Sequence, residues 1–321
     1  MKLGRWISGI AIALCCVPLA IGQGYPNKPV HLIVPFTAGS ATDILARTFG
    51  QKLSEMWGQS VIVENRPGAG GTIGAAVVAK SPPDGYTLLV NSAAQAYNAS
   101  IYPALSYDTS KDFAEIAPLA GQPNVLIVAP ATGVKSVAEL IALAKQKPGQ
   151  LNFGSAGTGS GTHINAEKFK LAAGIDVVHI PYKGTPEALN DTLAGRVTFF
   201  FSPISAALPN VREGKLIALG VSTAKRSSAL PNVPTIAEAA LPGFDYNLWV
   251  GVFAPAGTPP DIVDKINKDI DRVAQTPDVK ERLATLGAEP MPMTPAEFRK
   301  FVQAEIEDSA KIIKAAGIKA Q

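Results

Sequence analysis

Val30-His31-Leu32-Ile33-Val34-Pro35-Phe36-Thr37-Ala38-Gly39-Ser40-Ala41-Thr42-Asp43-Ile44-Leu45 carries three structural signals in order. Val30–Phe36 is an apolar run of strand length, rich in β-branched residues. Thr37–Ser40 is a turn of small residues. Ser40 and Thr42 then stand where a helix needs a cap, and Ile44, Leu45, Phe49, Leu53 and Trp57 recur at helical spacing until Gly58 stops it. The same grammar continues through Val61–Val63, the turn Arg66–Gly71, a short helix around Ile73–Lys80, the breaker Pro82–Gly85 and the strand Tyr86–Asn91. This β-α-β-α-β order predicts an α/β fold with a mostly parallel sheet flanked by helices.

Further along, Val125–Ala129, Leu151–Ser155, Val177–Tyr182, Val197–Phe201 and Leu216–Ser222 read as buried strands. Helices are predicted around 137–145, 162–173, 186–194 and 205–212. Thr185-Pro186-Glu187 reads as an N-cap, an N1 proline and an acidic first turn. The tail is helical over 260–274, 278–286 and 295–315. No repeat of fixed period stands out. Leu119–Val128 and Asp245–Ala254 read as extended connections between lobes. They predict a discontinuous first lobe, 23–122 plus 247–321, with a second lobe, 123–246, inserted in it.

Residues 1–22 read as a secretory leader. Lys2 and Arg5 precede an uncharged apolar stretch, Trp6–Ile21, and Ala20-Ile21-Gly22 supplies small residues for cleavage. Leu14 before Cys15 and Cys15 before Cys16 are poor substitutes for the small residue of a lipidation site, so the expected product is freely soluble and periplasmic. Cleavage after Gly22 would leave 299 residues, remove both cysteines and lower the formal charge from +3 to +1. That predicts no disulfide, no thiolate chemistry and no long-range attraction for nucleic acid or anionic membrane.

The chemistry is expected in four turns that follow strands. They are Phe36–Asp43, Asn91–Gln95, Gly154–His163 and Tyr182–Thr185. In a parallel sheet these fall at the carboxyl ends of strands, where α/β folds bind ligands. Each offers unpaired backbone N–H groups and hydroxyls at a helix start, which suits a carboxylate or phosphate. Small residues in tight turns are the plainer explanation of any one turn; four on two lobes favour a ligand cleft.

Enzyme signatures are missing. Ser155 and Ser160 lack the glycines of a nucleophile elbow, there is no Walker motif, and Gly68-Ala69-Gly70-Gly71-Thr72-Ile73-Gly74 fails dinucleotide spacing, with Ile73 where glycine is needed. That segment is better read as a turn letting the helix pack close to the sheet. His31, His163 and His179 form no metal-ligand pattern, so neither metal nor cofactor is expected. Lys183 is the cation placed at a strand end, to face an anion or simply solvent. Asp43 reads either as a first-turn acid or as an acceptor for a ligand amine or hydroxyl.

These residues in this order resemble the periplasmic receptors of tripartite tricarboxylate transporters, the Bug family. The resemblance rests on Tyr25-Pro26-Asn27-Lys28-Pro29-Val30, Thr42-Asp43-Ile44-Leu45-Ala46-Arg47, Val63-Glu64-Asn65-Arg66-Pro67-Gly68, Pro83-Asp84-Gly85-Tyr86, Gly154-Ser155-Ala156-Gly157, Pro181-Tyr182-Lys183-Gly184 and Ala254-Pro255-Ala256-Gly257. It implies a two-lobed type II "Venus flytrap", monomeric, that holds a small mono- or dicarboxylate through backbone amides and passes it to membrane permease subunits. Carried over by position, Phe36, Thr37, Ala38, Gly39, Ser40, Thr42 and Asp43 form the first-lobe ligand loop. Ser155, Gly157, Thr158, Ser160 and His163 form its second-lobe partner, and Ser92, Ala93, Gln95, Lys183 and Ser202 complete the set.

Two departures from the family's pattern bear on the ligand. Thr37-Ala38-Gly39-Ser40-Ala41 is bulkier than the usual proline and glycines, and Gln95 lies in a segment that often holds histidine. Phe199, Phe200 and Phe201 alternate along a strand and either fill the core or, for Phe201 near the strand end, flank an aromatic ligand. The alternatives to transport are a receptor docking to a sensor and an exported hydrolase using the same cleft.

Overall fold

The strand that joins the two halves of the molecule is one of its longest elements. In the computed structural model, which describes residues 24–319, it runs from Phe113 to Val128. The expected leader and its cysteines lie outside the described residues. In chain order the elements before and including this strand are β1 (Val30–Val34), α1 (Ala41–Trp57), β2 (Val61–Asn65), α2 (Thr72–Ala79), β3 (Thr87–Ser92), α3 (Ala94–Ile101) and β4 (Phe113–Val128). Next come α4 (Val137–Gln146), β5 (Asn152–Ser155), α5 (Gly161–Ala173), β6 (Val178–Pro181), α6 (Thr185–Leu193), β7 (Phe199–Pro203), α7 (Ile204–Arg212) and β8 (Ile217–Val221). The chain closes with α8 (Ile236–Ala239), β9 (Asn247–Pro255), α9 (Pro260–Ala274), α10 (Pro277–Thr285), β10 (Glu289–Pro290) and α11 (Pro295–Ala316).

The strands lie in the order β2-β1-β3-β9-β4-β7-β5-β6, with β8 and β10 also on β4. β1, β2 and β3 pair in parallel, as do β5, β6 and β7. The middle of the sheet is antiparallel. β9 runs against β3 and against the first part of β4, from Phe113↔Pro255 to Pro123↔Asn247. From Asn124 onward β4 changes partners, pairing with β7 on one side and β8 on the other. The protein is a two-lobed α/β fold in which β4 pairs within both lobes.

Packing explains the helices. α1 buries Leu45, Phe49 and Leu53, spaced four apart, against Val30, Leu32 and Val34 of β1. Full burial of a side chain such as Phe49, which is 1 % exposed, stabilises by about 2–3 kcal/mol. Gly58, with φ 63°, ends the helix in the left-handed conformation that glycine adopts without steric cost.

Three expectations need correction. β6 is an edge strand, exposed or half-exposed along its length, because nothing pairs with its outer side among the described residues. Thr185 is the first helical residue of α6, and Gly184 is the N-cap. Phe201 is fully buried among Phe169, Phe199 and Phe244, so its ring fills the second-lobe core and lies away from the cleft.

Candidate functional site

α1 and α5 begin alike. Gly39-Ser40-Ala41-Thr42-Asp43 opens the first, and Gly159-Ser160-Gly161-Thr162-His163 opens the second, 120 residues later. Ser40 has φ −66° and ψ 157°; Ser160 has φ −68° and ψ 158°. Both N-caps are almost fully buried, at 2 % and 1 % exposure. In each lobe the fifth residue of the motif accepts from the first: Asp43 Oδ2 takes the Gly39 N–H at 2.9 Å, and His163 Nδ1 takes the Gly159 N–H at 3.1 Å. This Gly-Ser-x-Thr recurrence was visible in the chain, but it is too short to register as a repeat of fixed period.

The two helix starts face one small cavity of about 20 Å³, room for about one water. Ser40, Ala41 and Thr42 line it from the first lobe with Phe36 and Ser92. Ser160, Gly161 and Thr162 line it from the second with Ala156 and Thr185. The N–H groups of Ala41, Thr42, Gly161 and Thr162 have no acceptor among the described residues, as expected for the first turn of a helix. Each also sits at the positive end of a helix dipole. Four donors and two dipoles converge without a cation, an arrangement that replaces the lost hydration of a buried carboxylate.

The hydroxyls around the cavity differ in their duties. Ser40 Oγ donates to Thr37 O at 2.7 Å, leaving α1 without a side-chain cap. Ser160 Oγ accepts the His163 N–H at 3.3 Å and lies 3.0 Å from Thr162 Oγ1. Thr162 Oγ1 also takes the Ala156 N–H at 2.9 Å.

A second, wider pocket of about 230 Å³ opens at the cleft mouth and shares Ala156 with the first. Gly157, Thr158, Tyr182 and Lys183 line its second-lobe wall; Gly70 and Tyr102 line the opposite wall. Here the lobes touch. Tyr102 donates its hydroxyl to Thr158 O at 2.8 Å. A Cβ on Gly70, whose φ is 60°, would meet that same carbonyl at 1.9 Å. On the other flank Thr37 Oγ1 donates to Glu187 Oε2 at 3.0 Å, and a Cβ on Gly184 would stand 1.9 Å from Thr37 Oγ1.

Of the residues expected in the site, Phe36, Ser40, Thr42, Ser92 and Ser160 meet at the inner cavity, and Gly157, Thr158 and Lys183 at the outer pocket. Thr37, Ala38 and Gly39 form the rim. The remaining six lie behind the cavity walls. Asp43 spends both oxygens on Gly39, Arg47 and Asn65. Burial works to raise its carboxyl, but the bonds from Arg47, Gly39 and Asn65 outweigh that and hold it below its ordinary value. Gln95 Oε1 accepts from Asn91 Nδ2 at 3.0 Å, the Ala93 amide is taken by Trp249 O, and Ser202 Oγ bonds to Pro203 O. Thr185, from the expected turn Tyr182–Thr185, also reaches the cavity, whereas Pro203 and Leu248 were missed, since burial of a strand end depends on the partner lobe.

Ser155 and His163, both buried, meet the half-buried His179. Ser155 Oγ lies 2.6 Å from His179 Nε2, a separation that nucleophilic catalysis also uses. Here the serine is fully buried and already accepts the Gly157 N–H at 3.0 Å, so the pair supports the loop. Among the described residues no group of three His, Cys, Asp or Glu side chains is placed to hold a metal ion. No described helix is long and apolar enough to cross a membrane.

A family model described as "Tripartite tricarboxylate transporter family receptor" matches residues 45–318. Among solved structures, R. palustris Rpa4515 with adipate is 39 % identical, with a TM-score of 0.89 over 92 % of this chain and 99 % of that one. The periplasmic binding protein BugD is 33 % identical, with a TM-score of 0.88 over 92 % of this chain and all of that one. MatC from Rhodopseudomonas palustris with bound malate is 34 % identical, with a TM-score of 0.86 over 90 % of this chain and all of that one.

Proposed function

Because this chain belongs to the tripartite tricarboxylate transporter receptor family, we propose that it is a periplasmic receptor for a small dicarboxylate, which it delivers to a membrane permease. The observation that carries the reading is the convergence of the unpaired Ala41, Thr42, Gly161 and Thr162 amides on one cavity between the lobes. One carboxylate reaches those amides by an oxygen that takes the place of about one water, between the two helix starts. The second points into the outer pocket, where Lys183 supplies the charge. The adipate and malate named with two similar structures favour a chain of four to six carbons.

Residues up to 122 and from 247 form the first lobe in this reading, and 123–246 the second. β4 and β9 then act as the hinge. Closure brings Thr37 to Glu187 and Tyr102 to Thr158, burying the ligand. The receptor role is favoured over hydrolysis because Ser155, paired with His179, is fully buried and already holds a backbone amide.

The test is thermal unfolding of the protein against malate, succinate, adipate, benzoate and hexanoate. A ligand present at about 100 times its dissociation constant adds roughly 2.7 kcal/mol, a rise of several degrees for a chain of this size. A rise with one or more dicarboxylates and little with hexanoate is expected. No rise with any dicarboxylate, before and after a cycle of denaturation and refolding to remove co-purified ligand, overturns the reading.

A further inference from the structure

Behind the second-lobe loop two imidazoles lie face to face. His163 and His179 have ring centroids 3.9 Å apart with 20° between planes, and Phe153 stacks on His179 at 4.9 Å. The hydrogen bonds around them assign their protons. The Gly159 N–H donates to His163 Nδ1, so that nitrogen carries a lone pair and the ring proton is on Nε2. Ser155 Oγ already accepts from the Gly157 N–H, and its one proton has His179 Nε2 as its acceptor, 2.6 Å away. Among the described residues Ser155 Oγ has no other acceptor for that proton, which favours His179 holding its own proton on Nδ1. Each ring uses its lone pair to fix one amide of the loop, directly or through Ser155.

We infer that Ser155, His163 and His179 are positioning residues, which set the amides of Gly157 and Gly159, and that His163 does so only while its ring is uncharged. A proton on His163 Nδ1 would turn an N–H against the Gly159 N–H. A proton on His179 Nε2 would make the ring a donor to Ser155 Oγ, so the hydroxyl proton must rotate away from the ring while the oxygen keeps its bond from the Gly157 N–H. Loss of the His163 lone pair frees the Gly159 end of the segment 156–160, which leads into the Gly161 and Thr162 amides. Two stacked cations 3.9 Å apart would also repel.

The charged surroundings agree. From α5, Glu167 Oε1 lies 3.8 Å from His163 Nε2, and Lys170 Nζ lies 3.9 Å from Glu167 Oε2. Burial above all, then His179 and Lys170, pushes His163 down to about 2. Burial and then Lys170 push His179 down to about 4. Burial raises the Glu167 carboxyl above its ordinary value against the pull of Lys170, which weakens the acid that would otherwise charge His163.

The first lobe solves the same problem with the Asp43 anion, which it ties to Arg47. A neutral ring at the matching position keeps a second negative charge away from a bound carboxylate, a consequence that rests on the receptor reading. The positioning itself holds for the protein without any ligand.

The experiment is nitrogen-15 NMR of the histidine rings in the ligand-free protein, with amide exchange of the loop. His163 should be the Nε2–H form and His179 the Nδ1–H form, and neither should titrate between pH 8 and 5. His163→Phe keeps the stack but loses the acceptor, and should speed Gly159 amide exchange by about tenfold, equivalent to about 1.4 kcal/mol. His163→Asn, whose Oδ1 replaces Nδ1, should restore slow exchange, and Ser155→Ala should speed exchange at Gly157. The opposite tautomers, a ring titrating near 6.5, or unchanged exchange in both His163→Phe and Ser155→Ala overturns the inference. If a variant does not fold, the wild-type tautomers still decide. None of these readouts uses a dicarboxylate, so the receptor reading can fail separately.

Discussion

Asp43 and His163 occupy the same station in opposite lobes, each accepting the amide N–H of the glycine four residues before it. One does it as an anion, the other as a neutral ring. The two helix-start loops are thus built on one plan with different acid–base chemistry, and pH acts on them differently.

For Asp43 the folded-state value lies below the ordinary 3.8, so as pH falls the unfolded chain takes up the proton first. Its contribution is whole above that ordinary value and is lost as pH falls through the lower folded one. Asp43→Asn should cost about 1–2 kcal/mol at pH 7, the scale of charged hydrogen bonds. Urea unfolding at pH 7 and pH 3 should show the gap from wild type narrowing in acid. An equal gap at both pH values would contradict the assignment.

The histidines give a higher window. Both folded values, about 2 and about 4, lie below the ordinary 6.5, so protons again favour the unfolded chain. The stability they contribute is present above 6.5 and declines as pH falls through 6.5 toward 4, His179 levelling off first. The double variant His163→Phe, His179→Phe should lose less stability than wild type between pH 7 and pH 5, measured by denaturant midpoint at each pH.

Gly184→Ala tests closure. The added methyl strikes Thr37 Oγ1 across the cleft, while φ −172° at this residue is open to any side chain. Unliganded stability should stay within about 0.5 kcal/mol, and affinity for any dicarboxylate that stabilises the wild type should fall by about tenfold or more. Calorimetry together with small-angle scattering would separate weaker closure from an altered fold.

Ser222→Ala addresses the crossing between lobes. The Ser222 hydroxyl accepts the Asn124 N–H at 2.9 Å and donates to Tyr246 O at 2.7 Å, linking the two chain passages. Its loss leaves a fully buried N–H unpaired, at about 1–3 kcal/mol. A midpoint shift below about 0.3 kcal/mol in equilibrium unfolding would show the link to be dispensable.

Lys183→Met should separate ligand classes. With the second carboxylate directed at the outer pocket, adipate binding should weaken by about tenfold, while binding of hexanoate or another monocarboxylate stays nearly constant. Parallel loss for both classes would place the lysine in a general role.

Much of the fold was legible because its signals are local. β-branched runs marked β1 and β2, and the Gly58 stop marked the end of α1. Strand direction was not, since β9 finds β3 and β4 from far along the chain. At the site, turn chemistry exposed the loops that carry Ser40 and Ser160. It did not show that Asp43 and His163 turn back to hold their own loops, nor that Phe201 points to the core, because orientation depends on neighbours brought in by folding.

The shared β4 has a mechanical meaning. Two unpaired linkers would leave one lobe free to swing about three axes, and a ligand would have to restrain all of that freedom. In the proposed reading a single continuous strand, laced to β9 up to Pro123 and to β7 and β8 from Asn124, would behave instead as a flexure. It would bend about one line and resist twist. One distance, from Ala38 on the first rim to Pro186 on the second, would then track the whole motion. Little orientational entropy is left for the ligand to remove when it arrives.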